Sequence, residues 1–223
     1  MCGRFTQTHS AAAIAATFGL SEPPQWQPRY NLAPTQAVPA IVEMPDRDRQ
    51  FKLFRWGLIP SWAKDISIGA KLINARAETL QEKPSFRESF KRRRCLIVAD
   101  GFYEWKKQAG KKQPFYFRLE NTEPFAFAGL WDRWHSPDGD VLETCTIITT
   151  EANQLAATVH DRMPVILSPD SYDRWLDPKH QTSANLESLL RPYPTTEMTA
   201  YLVSPSVNSP THDQPDCVAP LSS

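Results

Sequence analysis

The sequence predicts an α+β fold: a single domain of mostly antiparallel, barrel-like β-sheets with short helices packed around them. Three observations lead there. Short runs rich in β-branched and aromatic residues recur along the whole chain, separated by turn residues. Twenty prolines against eight glycines favour fixed turns and short elements over long helices. Helical patterns fall between the strands one at a time, without an internal period, which excludes a repeat architecture. At 223 residues the chain has ample length for a proper core.

In order, residues 2–7 predict a short extended segment. Ser10 is placed to cap a helix that runs through the Ala-rich stretch to Phe18 and stops at Gly19. Pro23, Pro24 and Pro28 form a rigid connector into residues 29–34. Residues 37–43 and 50–56 predict two strands around a charged turn at 44–49. An aromatic, proline-punctuated loop follows at 56–62, and residues 73–79 read as extended. Residues 85–93 predict a short basic helix, with Phe86 and Phe90 spaced to pack inward.

Residues 95–105 form an apolar run broken at Asp100-Gly101, as a buried strand with a bulge or bend would be. The turn at 106–112 leads to a strand at 115–119, and residues 125–131 are expected to pair with it. A turn at 136–139 precedes a strand at 143–150. Residues 151–159 predict a helix that delivers His160 at its end, and 165–167 a strand. Ser168-Pro169 opens a helix to Leu176. A helix at 185–190 and a strand at 198–203 complete the domain, expected over residues 1–208. Residues 209–223 read as a proline-rich tail, laid over the surface or weakly ordered.

Lysine plus arginine and aspartate plus glutamate number 25 each, so no global field advertises a polyanion binder. No long apolar run or leader is seen, and no membrane partner is expected. Cys2, Cys95, Cys145 and Cys217 are widely spaced, which indicates neither a disulfide framework nor a zinc site. A reducing cytoplasm fits, and neither metal nor cofactor is expected, since phosphate-loop and dinucleotide motifs are also absent.

Chemistry starts at Met1-Cys2-Gly3-Arg4-Phe5. If Met1 is removed, Cys2 carries an α-amine and a thiol on adjacent carbons. The amine titrates near neutrality and condenses with an aldehyde, and the thiol then closes a five-membered thiazolidine. Gly3 does not crowd an incoming electrophile, and Arg4 supplies a fixed positive charge. On these five residues alone, a cysteine buried as a small hydrophobe is the better account. Asn74 and Arg76 alternate with Ile73 and Ala75, as on one face of a strand, although solvated strands look the same. Glu104, between Tyr103 and Trp105, is either a partly buried carboxyl fit for acid–base work or a surface strand end. His160, followed by Asp161 and Arg162, is either a proton shuttle or a helix cap. His9, His135, His180 and His212 are assigned no role.

Arginine interleaves with aromatics at Arg4-Phe5, Arg29-Tyr30, Arg55-Trp56 and Arg76, with Trp62 and Trp105 near by. Stacking faces beside cations suit exposed bases and phosphates. The run Lys91-Arg92-Arg93-Arg94 is better explained by itself as a solvated helix face.

The segments Met1-Cys2-Gly3-Arg4-Phe5, Arg29-Tyr30-Asn31-Leu32-Ala33-Pro34, Trp56-Gly57-Leu58-Ile59-Pro60 and Ile73-Asn74-Ala75-Arg76-Ala77-Glu78-Thr79 occur in that order. Asp100-Gly101-Phe102-Tyr103-Glu104-Trp105, His160-Asp161-Arg162-Met163-Pro164 and Val207-Asn208 follow them. Over nearly the whole chain this set resembles the SOS-response-associated peptidase (SRAP) domain of abasic-site processing and crosslinking proteins. The resemblance implies binding to single-stranded DNA and a covalent thiazolidine link to an abasic site, which shields the lesion from strand cleavage. It casts Cys2 as nucleophile, Asn74 as holder of the Cys2 backbone, Glu104 as proton carrier, and His160 as the aid to sugar opening and adduct reversal. By the same resemblance Arg4, Arg76 and Arg162 grip phosphates, Trp105 lines the site, and Pro34 with the Trp62 loop forms a wedge against neighbouring bases. Some relatives carry a second aromatic where this chain has Ala63, which bears on that wedge. A cytoplasmic monomer, nucleoid-associated on damaged DNA, is expected. Two alternatives stay open: an N-terminal-nucleophile thiol peptidase that also removes its own Met1, and a non-enzymatic single-strand DNA-binding module.

Overall fold

Strand follows strand through most of the molecule. The structure, a computed structural model, describes residues 2–44, 48–108, 110–178 and 183–221. Met1, the centre of the turn at 44–49, residue 109 of the turn at 106–112, and His180 lie outside them. The elements in order are β1 (Phe5–Gln7), α1 (Ala11–Phe18), β2 (Arg29–Leu32), β3 (Ala37–Glu43), β4 (Arg49–Trp56), β5 (Asn74–Arg76) and α2 (Arg87–Arg92). They continue with β6 (Arg94–Ala99), β7 (Gly101–Gln108), β8 (Lys111–Leu119), β9 (Phe125–His135), β10 (Val141–Glu151), β11 (Arg162–Pro164) and β12 (Ile166–Leu167). The helices α3 (Tyr172–Leu176) and α4 (Ser183–Glu187) precede β13 (Met198–Leu202).

Five strands close a barrel, in the order β10, β4, β3, β6, β9 and back to β10. Every pairing in the ring is antiparallel except β4 with β10. Period-two alternation sorts the side chains. Val38 and Ala40, Phe54 and Trp56, Cys95 and Ile97, and Cys145 and Ile147 belong to one buried cluster. Their strand neighbours Ile41, Leu96, Val98, Ala128 and Ile148 belong to a second, with Ile14 and Phe18 of α1, Phe90 of α2, and Tyr172 and Trp175 of α3. The short helices therefore cover a barrel face that would otherwise be wet. Ser10 caps α1 by accepting from the Ala13 amide at 3.2 Å, and Gly19 ends it in the left-handed region at φ 64.

A second, antiparallel sheet runs β13, β8, β7, β1, β2. Its Phe5, Phe102 and Phe117 join the barrel cluster. The Phe5 ring meets Trp56 edge-on at 5.3 Å and Phe127 at 5.7 Å, which locks β1, and hence the residues just before it, between the sheets. Burying that ring stabilises by about 1.5–3 kcal/mol.

The break at Asp100 is more than a bend, because β6 lies in the barrel and β7 in the second sheet. The Asp100 carboxylate, buried at the corner, accepts from the Thr6 and Thr8 hydroxyls, from the Thr8 amide at 2.7 Å, and pairs with His9 Nδ1 at 3.1 Å. After β4 the chain turns at Gly57, with φ 124, where an added Cβ would lie 2.7 Å from the Gly69 carbonyl oxygen. Only glycine fits there.

Three expectations need correction. Residues 125–131 do not pair with 115–119: β9 pairs with β6, β10 and β12, and β8 with β7 and β13. Residues 151–159 are not an α-helix, and only a 3-10 turn forms at Ala156–Thr158. Glu151 stays in β10 opposite Arg162, the Ala152 amide donates to Asp161 O at 3.0 Å, and the Asn153 side chain caps the Ala156 amide at 2.8 Å. Strand closure there outweighs helix propensity. Of the extended stretch at 73–79 only β5 is strand, and Ala77–Thr79 is a 3-10 turn. Residues 209–221 lie against the domain: Cys217 is fully buried, and Asp213 accepts from the Arg29 side chain and from the Tyr30 and Asn31 amides at 2.6 and 2.9 Å.

Candidate functional site

Cys2, three residues before β1, sits where the two sheets meet. Cys2 is fully buried, its carbonyl receives Asn74 Nδ2 at 2.8 Å, and its thiol lies 3.8 Å from Arg4 O. Asn74 stands on β5, which β10 holds in parallel register with Ile147 beside Asn74. The second amide atom, Asn74 Oδ1, is buried and has no hydrogen-bond partner among the described residues. Burial, reinforced by the nearby Glu104 charge, pushes the Cys2 thiol well above its ordinary range.

Glu104 reaches the same place from β7. Phe5 pairs with Phe102, and the Tyr103 amide donates to Arg4 O at 3.0 Å, so the next residue falls level with Gly3. Glu104 is only 4% exposed. Burial pushes its carboxyl up from 4.5. His160 follows the 3-10 turn. Its Nδ1 accepts from the Arg162 amide at 3.0 Å, which puts the proton of the neutral ring on Nε2. An Asp161 carboxylate oxygen lies 2.9 Å from the same Nδ1.

Arg4 is half-buried and donates to Asn31 Oδ1 at 2.8 Å, Val207 O at 2.8 Å and Asn208 O at 3.3 Å. All three acceptors are uncharged, so among the described residues no carboxylate neutralises it. Trp105 is fixed by its indole N–H to Asn208 Oδ1 at 2.7 Å. Gly3, Arg4, Glu104, Trp105, His160 and Asn208, with Lys107 and Lys112, line one open cleft of ≈ 610 Å³. Cys2, next to Gly3 in the chain, is fully buried and does not itself line it.

The family described as SOS response associated peptidase (SRAP) matches residues 1–210. The chain belongs to the SRAP family. Among its relatives is the abasic site processing protein YoqW of Bacillus subtilis (strain 168), 48% identical over 98% of this chain and 99% of that one. The abasic site processing protein HMCES of Mus musculus is 32% identical, over 99% of this chain and 76% of that protein. A crystal structure of a protein from Bacteroides thetaiotaomicron superposes with a TM-score of 0.89 at 30% identity, over 99% of this chain and 100% of that one.

In this SRAP chain Cys2, Arg4, Asn74, Glu104, Trp105 and His160 come together, whereas Pro34, Trp62, Arg76 and Arg162 do not line the cleft. Arg76 is exposed on β5, two residues beyond Asn74. Arg162 grips both Glu78 oxygens at 2.6 and 3.0 Å and the Thr149 carbonyl at 2.6 Å, so its fork is already occupied. Pro34 is half-buried beside Thr35, which has φ 72. Trp62 is 58% exposed on a loop tied to β9 through Ser61 to Asp132 at 3.1 Å and Trp134 to Ala63 O at 2.7 Å.

Sequence reasoning assigned no role to Asn31, Asn208, Lys107 or Lys112. The asparagines fell inside motif segments without chemistry of their own, and the lysines inside a presumed turn. Only the hairpin register, Lys107 opposite Lys112, puts both lysines at the cleft. Among the described residues His212, Asp216 and Cys217 hold possible ligand atoms within 4.8 Å of one another, and none of them lines the cleft. No described helix is long and apolar enough to cross a membrane.

Proposed function

We propose that this SRAP protein binds single-stranded DNA and, once Met1 is removed, links Cys2 covalently to the ring-opened aldehyde of an abasic site. The observation that carries this is the Asn74 bond to the Cys2 carbonyl, which pins residue 2 behind a cleft bearing an uncompensated arginine and two proton carriers. The α-amine adds to C1′ of the aldehyde and water leaves to give an imine. The thiol then adds to C1′, its proton passing to the nitrogen, and the thiazolidine closes. Glu104, with a raised pKa, is suited to give a proton to the departing hydroxyl and take one from the amine. His160 is suited to proton transfer at the sugar ring oxygen through Nε2. Asn74 Oδ1 is a buried acceptor suited to orient the new amine.

A peptidase of the N-terminal-nucleophile kind works best with a thiolate, and burial drives the Cys2 thiol the other way. An aldehyde captured first by the amine meets the thiol within the same molecule, where proximity substitutes for acidity. The four free thiols suit a reducing compartment such as the cytoplasm.

Intact mass after incubation with a single-stranded oligonucleotide carrying one abasic site tests this. The expected product is a heat-stable adduct at protein minus Met1, plus DNA, minus water. It should be absent with Cys2→Ala and with an undamaged strand. A folded, DNA-binding wild type that gives no adduct overturns the proposal, and turnover of a peptide or amide in its place would favour the peptidase.

A further inference from the structure

The β7–β8 hairpin extends past the cleft. Between Lys106 and Gln113 it carries four lysines and no acidic residue, in a chain with equal numbers of basic and acidic residues overall. Lys107 and Lys112 face each other across the hairpin, so both side chains project from one face. Trp105, two residues back, shares that face, and all three line the cleft. Lys106 and Lys111 take the opposite face by the same alternation. Like charges directly opposite on paired strands repel. Among the described residues neither Lys107 nor Lys112 has a carboxylate partner, and both are exposed. A site that keeps two ammonium groups facing each other, beside an unneutralised Arg4, is matched by an extended polyanion.

We propose that this hairpin is an arm along which the DNA strand leaves the abasic site on one side, with Lys107 and Lys112 on its phosphates and Trp105 under the base between them and the lesion. This rests on the single-strand reading given above. From Trp105 to Lys107 the strand advances about 7 Å, which carries the contact beyond the lesion itself. The lysines act by charge on the backbone, so they add affinity without sequence preference.

The test is the salt dependence of binding to an undamaged single-stranded oligonucleotide, by fluorescence anisotropy, for two variants of equal charge. In Lys107→Gln/Lys112→Gln, loss of two phosphate contacts should lower the slope of log affinity against log salt by about 1.4, or about 25-fold in affinity at 0.1 M salt. Lys106→Gln/Lys111→Gln should stay close to wild type. Equal effects from both pairs, or none from either, overturn the arm. Oligonucleotides with the abasic site at the 5′ or the 3′ end then locate it. The penalty of Lys107→Gln/Lys112→Gln should survive on one of the two only, and survival on both overturns one-sided exit. A wild type that binds strands but forms no adduct would sink the crosslinking proposal and leave the arm to stand on its salt slope.

Discussion

Glu104 bears a cost that its position explains. A carboxyl whose folded pKa lies above its ordinary 4.5 destabilises the fold when ionised. That penalty is full above the folded pKa and disappears as pH falls below 4.5. Glu104→Gln should therefore unfold at the same or a higher temperature than wild type at pH 7, yet form the adduct about 100-fold more slowly, with binding to undamaged strands unchanged. A matching loss of melting temperature and adduct rate would mean that the residue is structural. Wild-type adduct rate should also fall as pH rises through the Glu104 pKa, and the substitution should remove that limb. At this scale the sequence marked Cys2 and Glu104 as candidates, but each had a bland reading as good or better until the motif segments were taken together. It was silent about Asn31, whose buried amide joins Arg4 to the carbonyls of Val207, Ser209 and His212 through contacts over 170 residues away in sequence.

The strand β1 is fixed at both ends. Phe5 is gripped by aromatic rings at one end, and at the other Thr6, Thr8 and His9 converge on Asp100. The hydrogen bond to Asp100 is the largest cause raising the His9 pKa above 6.5, the Asp100 charge and the Thr122 carbonyl add to it, and burial opposes it. A histidine with a raised folded pKa contributes stability that is complete below 6.5 and is lost as pH rises through the folded value. Urea unfolding should find wild type more stable than His9→Gln at pH 6, with the gap narrowing by pH 9; a constant gap would assign the loss to packing. Elements with local signals were legible in sequence. Ser10 and Gly19 bracket α1 as capping rules require. The stretch at 151–159 misled because its propensity is helical while its ends are held by β10–β11 pairing and by Asn153. Pairing partners for β8 and β9 could not be read, since a one-residue corner at Asp100 sends consecutive strands into different sheets.

Seen whole, the molecule is a barrel and a sheet tied at the chain's two ends. Asp213 anchors the final segment to β2 by accepting one guanidinium and two amide hydrogen bonds. Its loss in Asp213→Ala should cost about 2–3 kcal/mol, measured as a lower urea midpoint, and should weaken strand binding by loosening the Asn31 and Val207 cradle of Arg4. Unchanged binding in a destabilised variant would separate the anchor from the site. The fold class was legible because many short apolar runs leave few ways to bury them. The closing parallel pair β4–β10 was not, because the strands it joins are remote in sequence. Arg4 and Val207 O are 203 positions apart, yet one bond joins them. During synthesis, then, Cys2 leaves the ribosome long before Val207 does, and the arginine beside it cannot be seated until that late segment arrives. A product interrupted before Val207 would lack an acceptor that seats Arg4 beside Cys2.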